Sequence, residues 1–240
     1  MSEGCKLKHL TGILLGGMIM VSGCSDTNSL HISQSMEHQI EIFSTENKIT
    51  ELYFHMRYGR IKICPVSESD HKLPENEIRI ETDRGKNVPE LMVNEEHNAI
   101  TIEENEKLKP QDAAGYQLYV YLPEDRVYDV IEIVNENSYV DLTGYLTVKK
   151  MLVDLNVAAD VNIIDAAINE LDIHTTIGKV NIQLKGDPLA YDYNLYSDHG
   201  SITLNGVRKD EGTTEILKEN NGDQSVSVYA SGNIFIQIDQ

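Results

Sequence analysis

Two histidines and two aspartates are the side chains of this sequence best suited to bind a metal ion. Asp172 and His174 are two residues apart, so they would share one face of a β-strand, and Asp198 and His199 are adjacent in a later turn that could lie one coil away. Two imidazoles and two carboxylates that converge could bind a divalent cation. Polar side chains on a solvated strand face give the same pattern, so we predict neither a metal nor a cofactor.

The motifs of common catalytic sites are missing from the sequence. It contains no Gly-x-Ser-x-Gly elbow, no glycine motif for phosphates or dinucleotides, and no EF-hand loop. Asp and Glu are so abundant that pairs of carboxylates say nothing about acid–base catalysis. The sequence therefore predicts a protein that is not an enzyme.

Tyrosines gather in two places. Tyr191 and Tyr193 would lie on one face of a strand with Tyr196 on the other, and a second group lies within residues 116–121. Exposed tyrosines could bind sugars or protein partners. Packing between neighbouring strands is the structural alternative for Tyr191 and Tyr193.

The N-terminus carries a targeting signal. Lys6 and Lys8 precede an apolar run, residues 10–21, which at 12 residues is too short to span a bilayer core of roughly 30 Å. The run ends in an aliphatic residue, two small residues and a cysteine, which is similar to the bacterial lipobox; these are Val21, Ser22, Gly23 and Cys24. An uncleaved anchor or an ordinary signal peptide would be the alternatives.

Lipidation of Cys24 would anchor the protein without embedding it. Cleavage would remove residues 1–23 and leave 217 residues (240 − 23), whose first thiol accepts diacylglycerol and whose residues 24–37 form a polar tether. Each buried CH₂ contributes about 0.8 kcal/mol, so two or three acyl chains hold firmly to a membrane. We predict an extracytoplasmic protein at the cell membrane or outer membrane. Cys64 would be the remaining thiol, which excludes an internal disulfide.

The charge of the chain limits its partners. Its 20 Lys and Arg face 39 Asp and Glu, a net −19 that becomes −20 after cleavage, because residues 1–23 carry two Lys and one Glu. Such a surface repels phosphate backbones and anionic headgroups, so we predict no nucleic-acid binding. The expected partners are the membrane, through the lipid, and a protein or envelope polymer.

Apolar and polar residues alternate along the mature chain. The alternation predicts strands in which one face packs on a core and the other meets water. No stretch of 12 residues has a helical period, and residues 162–170, the best helical candidate, are better read as strand. The clearest alternating segments of the first half are residues 39–43, 52–56, 60–63, 77–81 and 99–103. We predict an all-β domain over residues 38–240 with no long helix after the signal peptide.

The second half of the chain repeats. Similar segments begin at Tyr139, Asp160, Asn181 and Ser201, which are 21, 21 and 20 residues apart, and a fifth begins at Asn233 after a polar insertion. Partner strands fall between them, so the repeats are clearest over residues 127–240. This period predicts a β-solenoid-like stack or serial β-sandwich whose end units need caps, for which the tether and N-terminal strands are candidates. A plain antiparallel sandwich is the alternative.

Three stretches resemble the bacterial DUF4097 family, described as candidate adhesins with a β-strand repeat, or toastrack, domain. Residues 49–63 are similar to its opening strand pair around a Gly turn, and residues 116–123 to its strand that ends in Leu-Pro. The repeats are best preserved at residues 200–206 and 232–238. The resemblance covers roughly residues 39–240.

The chain departs from the family pattern before several repeat strands. Asn137-Ser138, Ala159-Asp160 and Ile177-Gly178-Lys179 stand where a Gly is usual, which implies looser or different turns. The family has no catalytic residues to transfer. The resemblance implies a cell-envelope protein that is structural, adhesive or part of envelope-stress signalling.

Together these features favour a non-enzymatic envelope lipoprotein that displays a β-repeat domain for adhesion or contacts with envelope proteins. An envelope-stress or signalling component that binds a membrane partner is the alternative. A carbohydrate-active protein with a site spread along the stack is the third and less favoured hypothesis.

Overall fold

The fold is seen in a computed structural model, which describes residues 37–44, 48–66, 73, 77–84, 91–96, 98–104, 117–136, 139–209, 214–218 and 220–239. The predicted signal peptide, the predicted lipobox at Val21 to Cys24 and the predicted tether up to residue 36 lie outside these ranges. Within them, one short 3₁₀ helix, Pro188–Ala190, interrupts a chain of strands, which confirms the all-β prediction. This part of the protein contains no helix long and apolar enough to cross a membrane.

Eighteen strands are formed by the described residues. They are β1 (Glu37–Ser44), β2 (Glu51–Met56), β3 (Arg60–Val66), β4 (Glu77–Arg84), β5 (Leu91–Glu96), β6 (Ala99–Glu104), β7 (Gln117–Pro123), β8 (Val127–Asn135), β9 (Val140–Thr143), β10 (Thr147–Ala158), β11 (Val161–Ile177), β12 (Val180–Lys185), β13 (Tyr191–Ser197), β14 (Ile202–Leu204), β15 (Val207–Lys209), β16 (Thr214–Lys218), β17 (Gln224–Ala230) and β18 (Ile234–Asp239).

The strands form two sheets that share one core. Sheet I has the order β5-β6-β2-β8-β10-β11-β17-β13-β16, and sheet II the order β1-β4-β7-β3-β9-β11-β12-β18-β14-β15. The 17-residue β11 belongs to both, because its first part pairs with β12 and its second part with β17. A strand of sheet I followed by a strand of sheet II makes one coil. This confirms the solenoid-like prediction.

Pairing between coils is parallel and in register, which excludes the alternative of a plain antiparallel sandwich. Ile163 of β11 lies beside Ile182 of β12, which lies beside Ile236 of β18, and all three side chains are fully buried. Such columns of apolar side chains from both sheets make one continuous cluster. Burying each aliphatic side chain contributes about 1.5–3 kcal/mol, so neighbouring coils stabilise one another.

The repeats found in the sequence all fall in sheet II, as β9, the start of β11, β12, β14 and β18, and their partner strands fall in sheet I. The turn residues that end four of them have positive φ: Gly144, Asp165, Gly186 and Gly206. The third repeat, β12, is shifted in register relative to the sequence alignment of the repeats, however. Val180, not Ile182, pairs with Val161, so β12 begins two residues earlier than the spacing from Asn181 predicts. A two-residue period hides such a shift because both registers keep the same face inward.

The coils do not follow one another in chain order. The coil of β2 and β3 lies between β6–β7 and β8–β9, and the coil of β17 and β18 lies between β11–β12 and β13–β14. Antiparallel strands then close both ends: β4 and β5 at one, β15 and β16 at the other. Strands of the N-terminal part thus cap one end, as expected. The polar insertion contains the capping strand β16, which its polar composition did not predict.

A corner before each repeat strand explains the glycine pattern. Gly232 precedes β18 and packs on Gly178, which precedes β12 and packs on Ala159. A Cβ on Gly232 would overlap the Gly178 carbonyl, so only glycine allows this approach. Gly178 occupies the same corner as Gly200 and Gly232, two residues before the strand. The usual glycine is therefore present in the β12 coil, where the sequence comparison placed a departure.

Candidate binding surface on sheet I

A row of outward-facing side chains crosses the outer face of sheet I. In-register pairing places Asp154 of β10 beside His174 of β11, His174 beside Tyr229 of β17, and Tyr229 beside Tyr196 of β13. Neighbouring parallel strands are about 4.8 Å apart, so their matching side chains touch. These four residues are named the aromatic row.

The aromatic row is held by direct contacts. Asp154 Oδ1 lies 3.2 Å from His174 Nδ1, and the His174 and Tyr229 rings are 5.5 Å apart. The Tyr229 and Tyr196 rings stack at 4.4 Å with 10° between their planes. Tyr229 nevertheless keeps 50% of its surface exposed. The row therefore offers a fixed aromatic surface to solvent.

A second histidine lies further along the same face. His55 of β2 is separated from Asp154 by Val134 of β8, and its Nε2 lies 3.2 Å from Glu132 Oε1. At the opposite end of the aromatic row, Tyr196 lies beside Glu215 of β16. Histidine, tyrosine and carboxylate side chains thus run across most of sheet I.

The outer face of sheet I is strongly acidic. Two lysines of β10 lie among its described outward side chains: Lys150 pairs with Glu170 at 2.7 Å and Lys149 pairs with Asp129 at 2.6 Å. The nine carboxylates of this face are Glu51, Glu103, Asp129, Glu132, Asp154, Glu170, Asp172, Asp192 and Glu215.

The outer face of sheet II is different. Its middle carries a ladder in which Asn181 Nδ2 donates to Asn162 Oδ1 (2.7 Å) and Asn162 Nδ2 donates to Asp141 Oδ1 (2.9 Å). Its charges balance in the described part of the chain: Arg60, Lys62, Arg79, Lys185 and Arg208 against Glu77, Glu81, Asp141, Asp165 and Asp239. The two faces of the stack therefore differ in charge.

The structure separates the four metal candidates. Asp172 and His174 share the outer face of β11, as predicted, but Asp198 and His199 follow β13, which lies two strands away beyond β17. That separation is roughly 10 Å. His199 Nδ1 instead lies 3.0 Å from Asp198 Oδ2, and no group of three or more potential ligands occurs among the described residues.

Tyr191 and Tyr193 lie in the core. Both side chains are at most 1% exposed, and their hydroxyls donate to the carbonyls of Ile168 (2.9 Å) and Pro188 (2.8 Å). Their placement corrects the suggestion that they form a binding surface, because β13 turns this pair inward and Tyr196 outward. The structural alternative, packing between strands, describes them.

Cys64 is partly buried on the outer side of β3. Burial raises the pKa of its thiol, with Lys62 acting in the opposite direction. A raised pKa keeps the thiol protonated and weakly nucleophilic at neutral pH.

Sequence reasoning did not find three members of the aromatic row: Asp154, Tyr196 as a surface contact, and Tyr229. Tyr229 ends an alternating segment and could be assigned to an outer face from its period alone. Its neighbours could not, because β13, β17 and β11 are adjacent in space but not consecutive in sequence.

Two bacterial proteins of solved structure are among those similar to this chain. A candidate cell adhesion protein from Clostridium sporogenes ATCC 15579 is 15% identical, with a TM-score of 0.54 over 85% of this chain and 100% of that one. A candidate adhesin from Bacteroides fragilis NCTC 9343 is 10% identical, with a TM-score of 0.36 over 85% of this chain and 98% of that one. No family model and no curated sequence matches the chain. The likeness to the clostridial protein shows a shared fold.

Proposed function

We propose that this chain is a non-enzymatic, lipid-anchored protein of the bacterial cell envelope that uses its β-repeat domain for adhesion or for contacts with envelope proteins. The observation that carries the proposal is the aromatic row on the outer face of sheet I, where the exposed Tyr229 stacks on the half-buried Tyr196. Exposed tyrosines on a rigid surface are enriched in protein interfaces. The fold shared with a candidate cell adhesion protein, and the resemblance to DUF4097 proteins, support the same role.

The contact face is tested by photo-crosslinking in intact cells. A photoreactive phenylalanine analogue replaces Tyr229 in one variant and Phe235, a 37% exposed aromatic on sheet II, in the control. We expect adducts of defined mass at position 229 and none at position 235. Absence of adducts at position 229, or equal labelling at both positions, would overturn the assignment of sheet I as the contact face.

The anchor is tested separately by Cys24→Ser. The variant lacks the thiol that accepts the lipid, so we expect it to incorporate no labelled fatty acid and to keep its signal peptide, which raises its apparent mass. Cys64→Ser is the matched control and should incorporate the labelled fatty acid. The lipoprotein assignment fails if the Cys24 variant keeps the fatty-acid labelling and mass of the natural protein.

A further inference from the structure

The aromatic row lies within an electrostatic field of one sign. Nine carboxylates and two lysines lie on the outer face of sheet I, whereas sheet II carries five cationic and five anionic outward side chains among the described residues. Asp172 and Glu215, on either side of the row, make no side-chain hydrogen bond or ion pair within the described part of the chain. A partner that covers this face must compensate these charges or pay for their desolvation.

The protein contains an internal example of the contact that such a face favours. On sheet II, the Arg79 guanidinium lies 4.3 Å from the Tyr121 ring centroid, and its Nε lies 3.2 Å from Glu81 Oε1. The Tyr121 hydroxyl donates to the same carboxylate at 3.2 Å. Arginine, tyrosine and carboxylate thus form a set of three side chains in which each contacts the other two, so that stacking and charge pairing act together.

The aromatic row and the carboxylates beside it present two members of this set. Tyr229 offers the aromatic surface, and Asp172 and Glu215 offer carboxylates that form no ion pair within the described part of the chain. We infer that sheet I docks a basic polypeptide whose arginine side chains contact Tyr229 and Tyr196 and pair with these carboxylates. The inference rests on the proposed function, since it names the chemistry of the partner at the contact face.

The inference is tested with full-length protein in uncharged detergent. The probes are labelled peptides of ten arginines and of ten lysines, and a glycine–serine peptide of equal length. We expect the arginine peptide to bind more tightly than the lysine peptide, because guanidinium groups stack on aromatic rings, and the neutral peptide not to bind. Binding of all three, or of none, overturns the inference.

Matched variants locate the site. Tyr229→Ala and the double change Asp172→Asn with Glu215→Gln should each weaken binding of the arginine peptide about tenfold. Phe235→Ala and the double change Glu77→Gln with Asp239→Asn remove the same groups from sheet II and should change it less than about twofold. Equal losses on the two sheets would mean a response to overall charge and would overturn the assignment.

Two further outcomes separate this inference from the proposed function. Displacement of the arginine peptide by calcium, but not by sodium at equal ionic strength, would make the face a divalent-cation site instead of a peptide site. Crosslinks at position 229 in cells, without binding of the arginine peptide, would preserve the contact face and overturn its basic partner. If neither crosslinks at position 229 nor binding of the arginine peptide is observed, the contact face and its basic partner are both overturned.

Discussion

A buried tyrosine in this fold is a core residue whose hydroxyl needs a hydrogen-bond partner. Tyr191 is fully buried, packs against Tyr193 with ring centroids 6.4 Å apart, and directs its hydroxyl to the Ile168 carbonyl. Burial and then the neighbouring Tyr193 raise the pKa of Tyr191 to about 12. The neutral phenol is therefore the form that the folded state keeps.

This pKa predicts loss of stability at alkaline pH. A tyrosine pKa raised on folding contributes stability that is complete below its unfolded value of about 10, and that is lost as pH rises from there to about 12. Tyr191→Phe should lower the free energy of unfolding by about 1 kcal/mol at pH 7, through the lost hydrogen bond, and make its decline above pH 10 shallower. Urea unfolding between pH 7 and 11 measures both effects.

Tyr145→Phe is the control, because Tyr145 is 52% exposed. It should leave the free energy of unfolding at pH 7 unchanged. Identical alkaline slopes for the natural protein and the Tyr191 variant would contradict the assignment of this titration to Tyr191.

At the scale of elements, the corner between the sheets sets the geometry of each coil. Successive corners press backbone against backbone, with Gly232 on Gly178 and Gly200 on Gly232. The spacing of neighbouring coils at these corners limits how closely their strands can approach within the sheets. Close contact at the corners therefore permits the in-register columns of side chains. The glycines are therefore required by space and not by a left-handed backbone.

Gly232→Ala should be strongly destabilising. Its Cβ would overlap the Gly178 carbonyl, and backbone of two coils would have to separate, for which we expect a loss of about 3 kcal/mol in the free energy of unfolding. Chemical denaturation measures the loss.

The control is Gly206→Asn. Gly206 has φ +78°, which asparagine tolerates, and no atom lies within 4 Å of its virtual Cβ. We expect a change below about 1 kcal/mol. If Gly232→Ala were as mild as this control, the corner would not be tight.

At the scale of the whole molecule, the last coil is an internal part of the stack. Strands β17 and β18 lie between β11–β12 and β13–β14, so the final residues join coils that precede them in the chain. A solenoid in simple chain order would lose only an end unit on truncation. Here truncation removes the parallel neighbours that β13 and β14 have in the described structure.

Truncation after residue 223 should therefore expose β13 and β14 as well. We expect amide hydrogens of residues 191–204 to lose their protection from exchange, while β8 and β10 keep theirs, because those strands pair with β2 and β11. Hydrogen-exchange mass spectrometry resolves the segments. Replacing residues 207–218, which include the β15 and β16 caps, by a flexible linker of equal length is the control and should leave β13 paired with β17. Protection of residues 191–204 in the truncated protein would contradict the observed coil order.

Much of this architecture is local in origin and was predictable from the sequence. Alternation of apolar and polar residues determined which segments are strands and which side faces the core, as at Ile163 and Asn162, because strand side chains alternate with period two. Turn residues such as Gly144 and Gly186 marked the ends of the repeats, since their positive φ favours glycine. The all-β class and the solenoid-like stack follow from these local rules.

Only the tertiary structure decided which coils are neighbours. Asp154, His174, Tyr229 and Tyr196 meet because β17 inserts between β11 and β13, a pairing that no local period encodes. The two-residue period also leaves the register open to shifts of two residues, as in β12. It does not determine which face of β13 points inward, because Tyr191, Tyr193 and Tyr196 are all plausible on a surface. Strand periodicity is a property of one segment, whereas the contact face is a property of pairs of segments chosen by the packing of the whole core.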